Sequence, residues 1–314
     1  MPTTTPVVTV PEQVWVERVT PWPSGVEPAV WDLDAPAGSL GGRADRVVMV
    51  VLPYLRTDTD LGHLAGLPAL RLVQTLTAGY EAHLDGLPTG VALANAAGVH
   101  DASTAELAVG LVLASLRGID RAVRDLPEQR WAPSLLPSLA DRRVLLVGSG
   151  GVGDAVRRRL EPFEVELTRV ASRARDDAAG HVHGIEQVAG LLPRAEVVVL
   201  ACPLTDATRG LVDARFLAAM PDGALLVNVA RGPVVDTGAL LAELGTGRLH
   251  AALDVVDPEP PPAGHPLWSA PNLLMTPHVG GATSAMAPRA TALLRTQVGR
   301  LAAGEQPLHV VATG

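Results

Sequence analysis

The sequence predicts an α/β protein made of two domains with parallel sheets. Three observations carry that reading. Short Val- and Leu-rich runs recur along the whole chain, separated by Pro, Gly or helix-compatible stretches. From Arg143 onward these runs become almost continuously apolar, as in strands covered on both faces. The length of 314 residues corresponds to two domains at roughly 150 residues each.

Taken in order, Val7–Val10, Val47–Leu52, Leu70–Leu76 and Val91–Ala94 read as the strands of a first α/β unit. Ala102 to Arg117 reads as a long helix, with Asp101 or Ser103 as its cap and Glu106 in the first turn, where a carboxylate suits the helix dipole. Strands follow at Val144–Val147, Val165–Ala171, Val197–Cys202, Leu225–Val229, Ala251–Val256 and Leu273–Thr276, with helical stretches between several of them. Pro258, Pro260, Pro261 and Pro262 make a rigid loop directly after one of these strands. Ser284 to Leu301 reads as a last helix, with Pro288 in its first turn or at a kink.

Composition narrows the function. Apolar residues make up 47% of the chain, enough for a sizeable core. A formal net charge of −8 argues against an electrostatic nucleic-acid binder. All 25 basic residues are Arg, which removes any mechanism based on a Lys amine, such as a Schiff base or a P-loop lysine. One cysteine, Cys202, excludes an intrachain disulfide and a Cys-rich zinc site. Met1 to Val10 shows no basic segment followed by an apolar run, and Ala105 to Leu116 is too short to span a bilayer. A cytoplasmic, reducing compartment with no membrane partner is the expectation.

The sharpest local signal is Val144-Leu-Leu-Val-Gly148-Ser-Gly150-Gly151-Val152-Gly153. Gly148, Gly150 and Gly153 form G-x-G-x-x-G between an apolar strand and a helix. The first glycine permits the tight turn, the second lets backbone approach a pyrophosphate, and the third lets helix pack on strand. Dinucleotide phosphates would rest on the helix N-terminus. The next strand ends in Ser172-Arg173-Ala174-Arg175, with no acid until Asp176. NAD sites place a carboxylate there for the ribose 2′-hydroxyl, whereas a hydroxyl and guanidinium groups suit a 2′-phosphate. NADP is therefore the expected cofactor, with NAD possible.

Three further segments stand out: Val227-Asn-Val229-Ala230-Arg231-Gly, Leu253-Asp254-Val-Val-Asp257-Pro-Glu259-Pro260, and Thr276-Pro-His278-Val-Gly280-Gly. Each also has a bland reading as a surface ion pair, an acidic turn or a satisfied histidine. Together with a nucleotide fold they supply a cation, a carboxylate and an imidazole at successive strand ends. Cys202 reads as a small buried filler beside the cofactor. His181 and His183 lack a third ligand, so no metal is expected. Arg157 to Arg159 read as a solvated helix face.

With these segments in order, the chain resembles the D-isomer-specific 2-hydroxyacid dehydrogenases from about Val47 to the final helix. The resemblance runs through Thr77-Ala78-Gly79, Asn95-Ala-Ala-Gly98, Thr104-Ala-Glu106, the Gly-rich loop and Pro203-Leu-Thr-x-x-Thr208. It continues through Asn228-x-Ala-Arg231-Gly, Asp254 to Glu259-Pro, His265-Pro-Leu-Trp268 and Thr276-Pro-His278. The Ser-Arg pair is similar to that of NADPH-using glyoxylate/hydroxypyruvate reductases.

The resemblance implies an activity and residue roles. The activity is reduction of a small 2-oxo acid to the D-2-hydroxy acid. His278 would be the acid/base, Glu259 its carboxylate partner, and Arg231 the group that binds the substrate carboxylate and polarises the carbonyl. Ala78 and Gly79 would hold that carboxylate through backbone N–H groups. Thr104 and Asp254 would lie near the nicotinamide. The implied cofactor surface further takes in Gly151, Val152, Ser172, Arg173, Arg175, Cys202, Pro203, Thr208, Val229, Ala230, His278 and Gly280. Ala97, Glu81 and Ala82 depart from the family pattern near the substrate loop, and Pro53-Tyr54-Leu55 and Trp268 are candidate pocket residues. The expected organisation is a substrate domain of residues 1–97 plus 282–314 and a Rossmann dinucleotide domain of residues 98–281, with the active-site cleft between them. Both domains would be Rossmann-like or flavodoxin-like, and the resemblance implies a homodimer formed through the nucleotide domains. The rival readings are a nucleotide-sensing binding protein of the corepressor type, and a dehydrogenase of another donor such as phosphite or formate.

Overall fold

The computed structural model of the chain describes residues 5–54, 56 and 59–314. Leu55, one of the candidate pocket residues, lies outside them. The chain divides into two compact units, Met1–His100 with Ser284–Gly314, and Asp101–Thr283.

The first unit holds β1 (Val7–Val10), β2 (Glu27–Val30), β3 (Val47–Val51), β4 (Leu72–Gln74), β5 (Ala92–Ala94) and, from the C-terminus, β14 (Val310–Thr313). Their order is β14-β5-β4-β3-β1-β2, all parallel except β14, which runs antiparallel to β5. Successive side chains alternate between two cores. Val8 and Val10 join Trp15 of α1 (Gln13–Val19) and Leu294 and Val298 of α8 (Met286–Ala302), whereas Val7 joins Trp31 and Leu64 on the opposite face. Buried amides tie α8 to the sheet: Gln297 Nε2 donates to Gln74 Oε1 at 2.7 Å, and Gln74 Nε2 donates to the carbonyls of Thr75 and Asn95.

The second unit holds eight strands. They are β6 (Arg143–Val147), β7 (Glu166–Ala171), β8 (Arg175–Asp177), β9 (Gly180–Gly184), β10 (Val197–Leu200), β11 (Leu225–Asn228), β12 (His250–Leu253) and β13 (Leu273–Met275). The order is β13-β12-β11-β10-β6-β7-β9-β8, parallel apart from β8 against β9. The helices are α2 (Asp101–Leu116), α3 (Ile119–Asp125), α4 (Gly151–Leu160), α5 (Val188–Leu191), α6 (Ala214–Ala219) and α7 (Thr237–Thr246). Val144, Leu146, Val197 and Val199 pack under α2 and α4, while Leu145, Val147, Val198 and Leu200 pack under α6 and α7. Burial on both faces explains why these strands read as unbroken apolar runs. The chain order reverses between β6 and β10, and open α/β sheets bind ligands at such a switch point, outside the carboxyl ends of the strands.

Several details differ from the sequence reading. β2, β8 and β9 are not apolar runs, and β14, the short run Val310–Thr313 beyond the last helix, has no counterpart in the sequence reading; β2 is an edge strand carrying Glu27 and Pro28, and β8 is Arg-Asp-Asp and fully exposed. Cys202, Val229, Val256 and Thr276 lie past their strands, in buried or half-buried loops whose apolar character mimics strand. Helix α2 already includes Asp101, so Ser103 is no cap; it is buried, and its hydroxyl pairs with Thr283 Oγ1 at 2.8 Å. Arg157 is not a solvated residue but 15% exposed, bridging Asp154 and Glu161 along α4. Among the described residues no single helix is long and apolar enough to cross a membrane.

Candidate active site

The Gly-rich loop closes β6 onto α4 by contacts that exclude side chains. Gly148 has φ +116°, and a Cβ there would lie 2.4 Å from the Ala201 carbonyl. A Cβ on Gly153 would lie 2.0 Å from the Gly148 oxygen. Gly150 differs: a Cβ there would meet nothing within 4 Å. It occupies the N-cap of α4 and provides no capping side chain for the first N–H groups of the helix. That combination fits a pyrophosphate, for which N–H donors and a side-chain-free approach are the requirements. A Cβ on Gly151 would run into the Asp101 carboxylate, at 2.1 Å from Oδ2, and Val152 follows in the first turn.

Ser172 and Arg173 form an exposed bend after β7, and Arg175 opens β8. Arg175 Nη2 donates to the Ser149 carbonyl at 3.3 Å, which brings one guanidinium to the Gly-rich loop. On the other side of β6, Cys202 is 7% exposed and burial pushes its thiol up to about 11. Pro203 follows, and Thr208 Oγ1 donates to its carbonyl at 2.6 Å while accepting from Thr205 N–H.

After β11 the buried Asn228 organises the next loop. Its Oδ1 accepts from Ala230 N–H, and its Nδ2 donates to the Arg231 carbonyl, both at 3.0 Å. Val229 and Ala230 are buried, and Arg231 is half-buried. Gly232 then lies against the backbone of the Glu259 loop: a Cβ would fall 1.9 Å from the Val256 oxygen. Thr237 Oγ1 donates to the Asp257 carbonyl at 2.7 Å and closes the same seam.

Asp254, 3% exposed, anchors the third loop. Its Oδ1 accepts from Thr276 Oγ1 at 2.7 Å and Val279 N–H at 2.9 Å, and its Oδ2 accepts from Gly280 N–H at 2.9 Å. Its carbonyl accepts from His278 N–H. These bonds hold His278 at φ +51°, a backbone region that side-chain-bearing residues seldom adopt. Thr104, in the first turn of α2, lies against Gly280, whose Cβ would be 3.3 Å from Thr104 Cγ2.

His278 Nδ1 and Glu259 Oε1 are 2.5 Å apart, and Val256 N–H donates weakly to Glu259 Oε2. The hydrogen bond from Glu259 holds the imidazole pKa above its ordinary value, against the opposing effect of burial. Burial pushes the Glu259 carboxyl up, but its bond to His278 and that ring's charge outweigh this, so it sits below its ordinary value. With Nδ1 engaged, Nε2 is the ring atom available to exchange a proton.

In the first unit, Ala78 and Gly79 follow β4. Asn95 Nδ2 donates to the Ala78 carbonyl and Thr77 Oγ1 to the Gly79 carbonyl, each at 2.7 Å. The Thr77 carbonyl accepts from Ala96 N–H and Thr75 Oγ1. Trans peptides point N–H opposite to C=O, so the N–H groups of Ala78 and Gly79 face away from these tethers. Tyr54 stacks on the buried His100 with ring centroids 5.8 Å apart. Trp268 is 58% exposed, its indole donating to the Pro262 carbonyl in the proline-rich loop.

The sequence profile of the D-isomer specific 2-hydroxyacid dehydrogenase NAD binding domain matches residues 109–280. The chain belongs to the D-isomer specific 2-hydroxyacid dehydrogenase family. A glyoxylate reductase of Thermofilum pendens is 33% identical to this dehydrogenase over 273 residues, 83% of this chain and 80% of that protein. A glyoxylate reductase/hydroxypyruvate reductase of Mus musculus is 34% identical over 238 residues, 73% and 72% of the two chains. The chain spans about half the length of a further curated relative, 36% identical over 168 residues and covered to 55%. Among solved structures, a family member from Xanthobacter autotrophicus in complex with NADPH and MES superposes with a TM-score of 0.83, at 31% identity over 98% of both chains.

The dehydrogenase also uses residues that the sequence reading passed over. Asn228 and Thr276 lie inside quoted motifs, but their roles as loop anchors come from bonds between strands distant in sequence. Arg169, in the body of β7, gave no signal at all; its position within an apolar strand concealed a buried ion pair with Asp177.

Proposed function

We propose that this chain reduces a small 2-oxo acid of the glyoxylate/hydroxypyruvate class to the D-2-hydroxy acid, with NADPH as the preferred donor over NADH. The observation that carries the reading is the His278–Glu259 pair, joined through Nδ1 with Nε2 left to face a substrate. The reduced nicotinamide, when bound, supplies a hydride to C2 of the substrate. His278 delivers a proton from Nε2 to the carbonyl oxygen, so hydride plus proton turn the oxo group into a hydroxyl. Glu259 keeps the imidazole protonated beforehand and oriented throughout. Arg231 presents a planar fork to the substrate carboxylate and draws charge from its carbonyl. Asp254 and Thr104 serve the nicotinamide end, the glycines and the Pro203–Thr208 loop the phosphates, and Ser172, Arg173 and Arg175 the 2′-phosphate. The names of the Thermofilum and mouse relatives support the substrate class, and the NADPH in the Xanthobacter structure supports the cofactor.

A panel of 2-oxo acids run with both cofactors tests the reading. Fast NADPH oxidation with glyoxylate or hydroxypyruvate is expected. No turnover of any 2-oxo acid would overturn it in favour of a nucleotide-sensing protein or a dehydrogenase of another donor. A cytoplasmic homodimer is part of the same proposal. Ile119, Val123, Leu126, Trp131 and Leu135 are large apolar side chains left exposed from α3 onward, with Trp131 93% exposed, and a second copy of this chain is the occupant that would cover them. Sedimentation of the purified chain as a monomer would remove that part.

A further inference from the structure

Arg169 projects from the middle of β7 and is almost wholly buried, its side chain 6% exposed. A buried guanidinium is costly unless every donor is met. Here Nη1 donates to Asp177 Oδ2 at 2.8 Å, and Nη2 donates to Asp177 Oδ1 and to the Gly180 carbonyl, both at 2.9 Å. Asp177 Oδ1 also accepts from Ala179 N–H at 2.8 Å, which closes the turn between β8 and β9. The result is a two-pronged bond from the sheet to the tip of a hairpin.

That hairpin needs such a bond. β8 is three residues long, exposed throughout, and paired only along β9 at the sheet edge. Two short strands alone are marginal in water. The tip is held by Arg169; the other end of β8 is Arg175, whose guanidinium reaches the Ser149 carbonyl in the Gly-rich loop. Pinning the tip restricts how far the other end of β8 can move from the loop.

We propose that the Arg169–Asp177 pair is a positioning clamp that holds Arg175 at the Gly-rich loop and so sets the selectivity for ligands bearing a 2′-phosphate. The clamp touches no cofactor atom; it acts through Arg175. The proposal rests on the reading of Ser172, Arg173 and Arg175 as the 2′-phosphate site.

The test compares adenosine 2′,5′-bisphosphate with AMP by calorimetry, alongside KM and kcat for NADPH and NADH. The variants are Asp177→Asn, Arg169→Lys, Arg175→Ala and the double variant Arg175→Ala/Asp177→Asn. Losing a charge-assisted contact predicts that Arg175→Ala weakens the bisphosphate roughly tenfold or more, with AMP little changed. Asp177→Asn is expected to weaken the bisphosphate several-fold and raise KM for NADPH, leaving kcat and the NADH parameters near those of the parent. Asp177 lies at an exposed tip, so this variant keeps the fold if the buried Arg169→Lys does not. The deciding result is the double variant: with Arg175 absent, removing Asp177 should cost no further selectivity. Equal losses for both ligands, no loss in Asp177→Asn, or a loss that persists without Arg175 would overturn the clamp. An Arg175→Ala variant with unchanged discrimination would instead overturn the reading of Arg175 in the 2′-phosphate site, and the clamp with it.

Discussion

Arg231 and Arg175 both stand at the C-terminal edge of the eight-stranded sheet, in very different surroundings. Arg231 sits on a loop fixed by Asn228 on one side and pressed, through Gly232, onto the backbone of the Glu259 loop on the other. Arg175 sits on an exposed strand of three residues and makes one 3.3 Å bond to the Gly-rich loop. On the proposed reading the first corner holds the reacting groups, where a misplacement of about 1 Å is costly to the rate. On the same reading the second meets the cofactor's 2′-phosphate, away from the reacting atoms. Changes in the first should therefore strike turnover, and changes in the second should strike affinity.

The largest expected effect removes the acid. His278→Ala should lower kcat by ~10²–10⁴ while NADPH binding, followed by fluorescence titration, stays near that of the parent. Gly232→Ala comes next, since the new Cβ would fall 1.9 Å from the Val256 oxygen and force the Arg231 and Glu259 loops apart. A loss in kcat of about 10²-fold is expected for a displacement near 1 Å; an unchanged kcat in a folded variant would show that the seam is not needed. Arg173→Ala belongs to the other corner. It should raise KM for NADPH by tens-fold, the equivalent of about 1.5–3 kcal/mol for a charge-assisted contact, and leave kcat alone. Equal efficiency of both cofactors in the parent would dissolve the distinction between the corners.

The subtlest effect is on pH. In the proposed reaction reduction starts from protonated His278, whose pKa lies above its ordinary value because of Glu259. The rate should be full at low pH and fall as pH rises through that raised pKa. Glu259→Gln keeps the shape and removes the charge, so the descending limb should move to lower pH. A limb that does not move would separate Glu259 from the catalytic acid. The same sign applies to stability: the imidazole's contribution is complete below its ordinary value and fades as pH rises through the raised one, whereas the lowered Glu259 contributes above its ordinary value and fades as pH falls.

The sequence made the parallel sheets legible because their strands are buried on both faces and so are written in Val, Leu and Ala. It made the Gly-rich loop legible because only glycine fits beside the Ala201 carbonyl and the Gly148 oxygen. It concealed the edge strands: nothing in Arg175-Asp-Asp177 predicts strand, since β8 exists by virtue of a partner strand and a buried Arg six residues upstream. The left-handed backbone of His278 was equally hidden. It follows from three hydrogen bonds to the side chain of Asp254, a residue that the sequence places in an acidic turn and, by resemblance, at the nicotinamide, but not as a backbone anchor.

Cys202 gives the molecule a timer of its own. It is the only thiol in the chain, and its backbone N would lie 2.6 Å from a Cβ placed on Gly148. It is 7% exposed, with burial pushing its thiol up to about 11, so reaction with an alkylating reagent waits on local opening around the side chain and on formation of the thiolate. Each labelled molecule then gains a single mass increment, with no second cysteine and no lysine to confuse the count. The labelling rate at fixed pH thus reads how often the core around Cys202 opens locally, apart from global unfolding.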